Sequence, residues 1–161
     1  MRKLNPEHKT ALIEMVNKAS YFDLLGIKLV DMDMGSARVE VDLQKRHMNP
    51  FGAIHGGIYA SIIDTAAYWS AYCEVEENVG FTSIDLNVNN LAMVKSGKII
   101  VTGRCIRVGK TLIVTEGTAE DETGRMLAYG TSKLMVLHGR QTMVHAVEYL
   151  QSPNLPPKFI D

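Results

Sequence analysis

Asn49-Pro50-Phe51-Gly52-Ala53-Ile54-His55-Gly56-Gly57-Ile58-Tyr59-Ala60-Ser61-Ile62-Ile63-Asp64 is the stretch from which the rest of the chain is best read. A polar, glycine-rich turn runs directly into a helical pattern. Ile58, Ile62, Thr65 and Trp69 fall at helical spacing, so one face is mostly apolar. Gly56 and Gly57 stand where the helix should begin. The first backbone N–H groups there have no intrahelical partner, and the helix dipole favours negative charge. Such an end can hold an anion or a developing oxyanion. Asp64 follows about two turns later, among Ala60, Ala67 and Ala71. A carboxylate among small residues on a mostly buried helix needs a partner or a task. Its plainer reading is an ion-paired or capping aspartate.

Outward from this helix the pattern is mixed. Asn5-Pro6 reads as an N-cap followed by proline at the first helical position. Leu12, Met15, Val16 and Ala19 then give an apolar stripe, which predicts a helix over residues 6–19. From Ser36 to Leu43, Ala37, Val39, Val41 and Leu43 alternate with Arg38, Glu40 and Asp42, the signature of a half-buried strand. The central helix is expected to end near Cys73. Phe81–Asn89, Lys98–Val108, Thr111–Asp121 and Met126–Leu137 read as strands. Short glycine-bearing turns at Val108-Gly109-Lys110 and Glu122-Thr123-Gly124-Arg125 suit antiparallel hairpins. One helix between a first strand and a run of antiparallel strands is an α+β plan. Gln141–Leu150 suggests a further helix. Pro153, Pro156 and Pro157 argue for an extended, structural tail, for which a neighbouring subunit is one surface to pack on.

Composition narrows the class. With 161 residues, 46% hydrophobic and 22% charged, the chain is one soluble globular unit by length and content. A formal net charge of −1 without charge blocks argues against nucleic acid and anionic membranes as partners. No apolar run approaches the ~18 residues of a membrane span, and the N-terminus lacks a signal-peptide core. Cys73 and Cys105 are too few for a disulfide framework and read as buried thiols, so a cytoplasmic setting is expected.

Asn49, Gly52, His55, Gly56, Gly57 and Asp64, in this order and spacing, resemble the motif of the hotdog-fold acyl-CoA thioesterases, in particular the phenylacetate-degradation group. The resemblance runs from about Leu24 to Leu137. It implies an antiparallel sheet wrapped around a central helix, with an N-terminal helical extension over 1–23, the hotdog domain over 24–138 and a C-terminal extension over 139–161. It implies hydrolysis of an acyl-CoA to free acid and coenzyme A, with Asp64 as general base or nucleophile. Gly56 would supply the oxyanion N–H and Asn49 would orient the water or the carbonyl. Ser83 would help position the water. Their plainer readings are a tight turn for the glycines and an ordinary turn residue for Asn49. His55 is expected to be structural, binding a backbone carbonyl across the turn. Arg107, Gly109, Lys110 and Thr111, with Gly57, would touch the pantetheine and phosphates of coenzyme A; the hairpin residues also read as a plain solvated turn. The group's members are at least dimers with shared sites, so a homodimer, or a homotetramer built as a dimer of dimers, is implied.

Other chemistries find less support. The five histidines show no paired metal-ligand spacing, no cysteine pair suits zinc, and no nucleotide-binding glycine loop or Gly-x-Ser-x-Gly elbow occurs, so neither metal nor cofactor is expected. Two rivals remain: an acyl-thioester hydratase or dehydratase, and a non-catalytic acyl-CoA-binding module. Phe51, Tyr59, Tyr68, Trp69 and Phe81 would line a pocket or simply fill the core.

Overall fold

The computed structural model describes residues 3–160. In chain order the elements are β1 (Lys3–Leu4), α1 (Pro6–Val16), α2 (Ser20–Leu25), β2 (Ile27–Asp33), β3 (Ser36–Asp42), α3 (Gly56–Tyr72), β4 (Val79–Asn90), β5 (Lys98–Val108), β6 (Leu112–Asp121), β7 (Met126–His138), α4 (Met143–Leu150) and β8 (Phe159–Ile160). Six strands form one antiparallel sheet in the order β2-β3-β5-β6-β7-β4. The sheet curls around α3, of whose seventeen residues eleven are buried, including Ile58, Ile62, Thr65 and Trp69. This is the α+β hotdog arrangement, with α3 as its filling.

Three glycines set how closely helix and sheet approach. Gly103, Gly117 and Gly130 are direct cross-strand partners on β5, β6 and β7. They form a row without side chains across the sheet. A Cβ at Gly103 would lie 2.0 Å from the Ala66 carbonyl oxygen, and one at Gly117 would lie 3.1 Å from Ile63 Cγ2. α3 therefore lies in a trough without side chains, which at Gly103 only glycine can provide.

Both ends of the chain differ from the expectations. α1 stops at Val16, three residues early, because the Asn17 side chain turns away to pair with the Leu29 backbone: Asn17 Nδ2 donates to Leu29 O and Leu29 N donates to Asn17 Oδ1, both at 2.9 Å. A separate helix, α2, follows and closes on Gly26 in the left-handed region. β2 was not expected. Its pairing with β3 slips between Leu29 and Asp31, which breaks the alternation by which a strand is recognised. α3 ends with Cys73 as its C-cap, where its end was expected, and Cys73 is buried, but Cys105 on β5 is only half-buried. The tail packs on its own chain. β8 pairs with β1, Asn5 Nδ2 donates to Pro157 O at 2.8 Å, and Lys158 is buried with Nζ donating to Tyr72 O at 2.5 Å and Val75 O at 2.6 Å. Lys158 thus caps the carbonyl end of α3, where a cation is favoured.

Candidate active site

The turn before α3 holds itself together. Asn49 Oδ1 accepts from Phe51 N at 2.9 Å and from Ala53 N at 3.2 Å, an Asx turn that closes the loop. His55 is the N-cap of α3: its Nδ1 accepts from Gly57 N at 2.8 Å. This corrects the expectation that His55 binds a backbone carbonyl. His47 does that instead, its Nε2 donating to Leu25 O at 2.7 Å while Nδ1 accepts from Gln44 N. With Gly57 N–H committed to the cap, Gly56 N–H is left with no acceptor among the described residues. Asn90 closes the other side: a Cβ on Gly56 would lie 2.7 Å from its Nδ2. Sequence patterning gave no hint of Asn90 here, because it ends the polar run of β4.

Asp64 and Ser83 are brought together. Ser83 Oγ donates to Asp64 Oδ1 at 2.9 Å. A bulge in β4 between Ser83 and Asp85 interrupts the pairing with β7 at this point. Asp64 is half-buried. Burial lifts its carboxyl above the ordinary value, and the Ser83 hydrogen bond pulls partly back. A desolvated carboxylate with a raised pKa is a better base than one in water. The thiols do not compete as nucleophiles, since burial pushes Cys73 and Cys105 each up to about 11.

Asp64 and Gly56 are not brought together. They are eight residues apart on one helix, a rise of ~12 Å. No single carbonyl can touch both. The hairpin carrying Arg107, Gly109, Lys110 and Thr111 lies still further along. Gly35 O accepts from Cys105 N at 2.8 Å, and Gly35 abuts Glu74, just past the end of α3. Arg107, Lys110 and Thr111 are exposed there, and Gly109 N closes the turn on Leu112 O.

Asp64 opens on a cavity of about 590 Å³ between α1, α2, α3 and α4, with Phe22, Tyr68, Trp69 and Leu150 among its walls. Of the aromatics considered from sequence, Tyr68 and Trp69 line it, Tyr59 and Phe81 are core, and Phe51 is 91% exposed. Tyr68 sits one turn beyond Asp64 and meets the side chain of Gln141; burial pushes its phenol up to about 12. Gln141 also escaped the sequence reading.

Residues 51–128 match the family model described as "Thioesterase superfamily". Acyl-coenzyme A thioesterase 13 of Homo sapiens is 30% identical over 123 residues, covering 74% of this chain and 87% of the relative. The chain belongs to the thioesterase superfamily. A 1,4-dihydroxy-2-naphthoyl-CoA hydrolase of Listeria monocytogenes is 28% identical over 119 residues, covering 74% of this chain and 97% of that one. A thioesterase of Haemophilus influenzae superposes with a TM-score of 0.78 at 22% identity, covering 87% of this chain and 97% of that chain. This superfamily member is a thioester hydrolase. Its family match includes Gly56, Asp64, Ser83 and Lys110 but begins after Asn49 and ends before α4. No group of three or more histidine, cysteine or acidic side chains is placed to hold a metal among the described residues, and no helix there is long and apolar enough to cross a membrane.

Proposed function

We propose that this thioesterase hydrolyses acyl-CoA at sites shared between two copies of the chain, in the cytoplasm. The observation that carries the reading is the half-buried Asp64 carboxylate, held by Ser83 at 2.9 Å, at the mouth of an apolar cavity. Water attacks the thioester carbonyl and passes its proton to Asp64. The oxyanion is met by the unsatisfied Gly56 N–H at the positive end of α3, and the coenzyme A thiolate leaves and takes up the proton. In the alternative route the Asp64 carboxylate attacks first and the mixed anhydride is then hydrolysed. Asn49 keeps its amide NH2 for the water or carbonyl, since its oxygen is committed to the turn. Gly57 belongs to the frame of the oxyanion site through its bond to His55. Arg107, Lys110 and Thr111 flank coenzyme A, the two cations suited to its phosphates.

The ~12 Å between Gly56 and Asp64 in one chain supports the sharing. A two-fold partner supplies the Gly56 end to this chain's Asp64, and the reverse. β4 is the candidate seam. It is an edge strand, and Ile84 and Leu86 on it are 52% and 37% exposed. A tetramer would add a second interface to the same dimer.

The test is Asp64→Asn, with thiol release from an acyl-CoA panel followed by a thiol reagent. The swap keeps size and removes basicity and nucleophilicity. A loss of roughly 10²-fold or more in kcat is expected, with coenzyme A binding retained. Turnover near that of the wild type overturns the mechanism.

A further inference from the structure

The cavity beside Asp64 is built largely from outside the family's common part. Of its seventeen lining residues, ten lie beyond the matched stretch 51–128, on α1, α2 and the segment after β7. That segment leaves β7 and crosses β4 at Gly80, where a Cβ would lie 2.1 Å from Arg140 O and 2.3 Å from Gln141 O. Gln141 then takes a left-handed backbone, φ 51°, which few residues other than glycine adopt, and its Nε2 donates to Phe81 O at 3.0 Å. Thr142 caps α4 through His145. α4 turns Met143, Ala146 and Leu150 to the cavity, and the tail beyond is fastened by Lys158.

Three polar side chains in the chamber wall turn their donors to the protein. Ser61 Oγ donates to Gly57 O at 3.0 Å, Thr65 Oγ1 to Ser61 O at 2.7 Å, and Gln141 Nε2 to Phe81 O. Apart from the reacting Asp64, what faces the interior is chiefly aliphatic and aromatic carbon. Such a surface selects by length and bulk, not by hydrogen bonds to a substituent.

We propose that α4 and the crossing at Gly80 form a roof over the acyl chamber that sets which acyl chains are taken, favouring unsubstituted medium or long aliphatic chains over short or hydroxylated aromatic acyl groups. This rests on the reading of Asp64 as the group that acts on an acyl thioester. About 590 Å³ is the size of a site for a drug-sized ligand, far larger than an acetyl group. Each methylene buried should improve kcat/KM about fourfold until the chamber is full. A side chain enlarged on α4 shortens the chain that fits, and one reduced lengthens it.

The experiment measures kcat/KM for straight-chain acyl-CoAs from acetyl to stearoyl, and for a dihydroxylated aromatic acyl-CoA, with the wild type, Ala146→Phe and Leu150→Ala. In parallel, the fluorescence of Trp69, the sole tryptophan and a wall of the chamber, is titrated with the free fatty acids. Ala146→Phe should lower the ratio of long-chain to short-chain kcat/KM by about tenfold or more, the cost of roughly two or more methylenes at fourfold each. Leu150→Ala should move the preference toward longer chains, a gain that misfolding cannot produce. An unchanged length profile in both variants overturns the proposal, as does a wild-type preference for the hydroxylated aromatic substrate. If the wild type hydrolyses no acyl-CoA, the functional reading fails, and the roof is judged by Trp69 alone. Fatty-acid binding whose length optimum moves in opposite directions in the two variants upholds it, and binding unmoved by them refutes it.

Discussion

At the residue scale the informative pair is Asp64 and Ser83. Two opposed effects act on one carboxyl: burial raises its pKa, and the Ser83 hydroxyl, which bonds the anion, lowers it. The base must be ionised, so activity should fall with acidity as the pH drops through this raised value. Removing the hydroxyl removes the hydrogen bond that favours the anion. Ser83→Ala should therefore shift the acid limb of kcat/KM to higher pH. A limb that stays in place or moves downward in Ser83→Ala would show that the bond does not control the base. The pair was legible in the sequence through the resemblance alone: a fixed motif places Asp64, and Ser83 stands at a matching family position, but nothing in the strand pattern showed that the two side chains meet. His55 was misjudged for a local reason. A histidine before two glycines at a helix start is well placed to cap Gly57 N–H, and the carbonyl-binding role fell to His47, eight residues earlier.

At the scale of elements, the strongly periodic segments were read to within a residue or two. α3, β5, β6 and β7 alternate or repeat cleanly and are bounded by glycine turns. β2 was illegible because its bulge sets Val30 and Asp31 side by side on the exposed side of the pattern. α2 was illegible because six residues carry too little period to declare themselves. The chamber was illegible for another reason: Phe22 and Leu150 are far apart in sequence and line it together only through the fold. The edge strand β4 carries the prediction at this scale. Asp64→Asn and Asn49→Ala should each be nearly inactive alone. If sites are shared across a two-fold axis, each mixed dimer has one site with both lesions and one with neither, so random pairing restores roughly a quarter of wild-type activity. Co-purified mixed dimers without activity would show instead that each site lies within one chain.

For the whole molecule, the two chain ends meet at the far end of α3 in a buried polar cluster. His8 Nδ1 donates to Pro156 O at 2.6 Å, and its Nε2 accepts from the Tyr72 hydroxyl at 2.8 Å. Lys158 Nζ stands 3.8 Å over the Tyr72 ring, and Glu77 lies nearby. Burial, joined by Lys158, holds the His8 pKa below 6.5, against the opposing pull of the Pro156 carbonyl and Glu77. Below pH 6.5 the unfolded chain takes a proton that the folded His8 refuses, so stability is lost as pH falls from 6.5 toward the lowered folded value. Thermal unfolding followed across this window should show a steeper fall for the wild type than for His8→Gln. Equal slopes would remove His8 from the account. Asp64 acts with the opposite sign at lower pH, because its raised pKa lets the folded state take a proton first.

The glycine trough under α3 also bears on which routes of sequence drift remain open to the chain. A methyl group at Gly103 meets the backbone carbonyl of Ala66, and one at Gly130 lies 2.6 Å from the Asn87 carbonyl; no exchange of side chain can shorten a carbonyl. At Gly117 the nearest obstacle is the Ile63 Cγ2 methyl, which a neighbouring change can reshape. A library varied at the three glycines together with Ile63, selected for folded protein, should return alanine at position 117, chiefly in company with a reshaped residue 63, and glycine alone at 103 and 130. Alanine recovered freely at 103 would show that the helix can lift off the sheet. Otherwise Ile63, the immediate neighbour of Asp64, is the place where the frame can change by small steps, and each such step is tied in sequence to the reacting carboxylate.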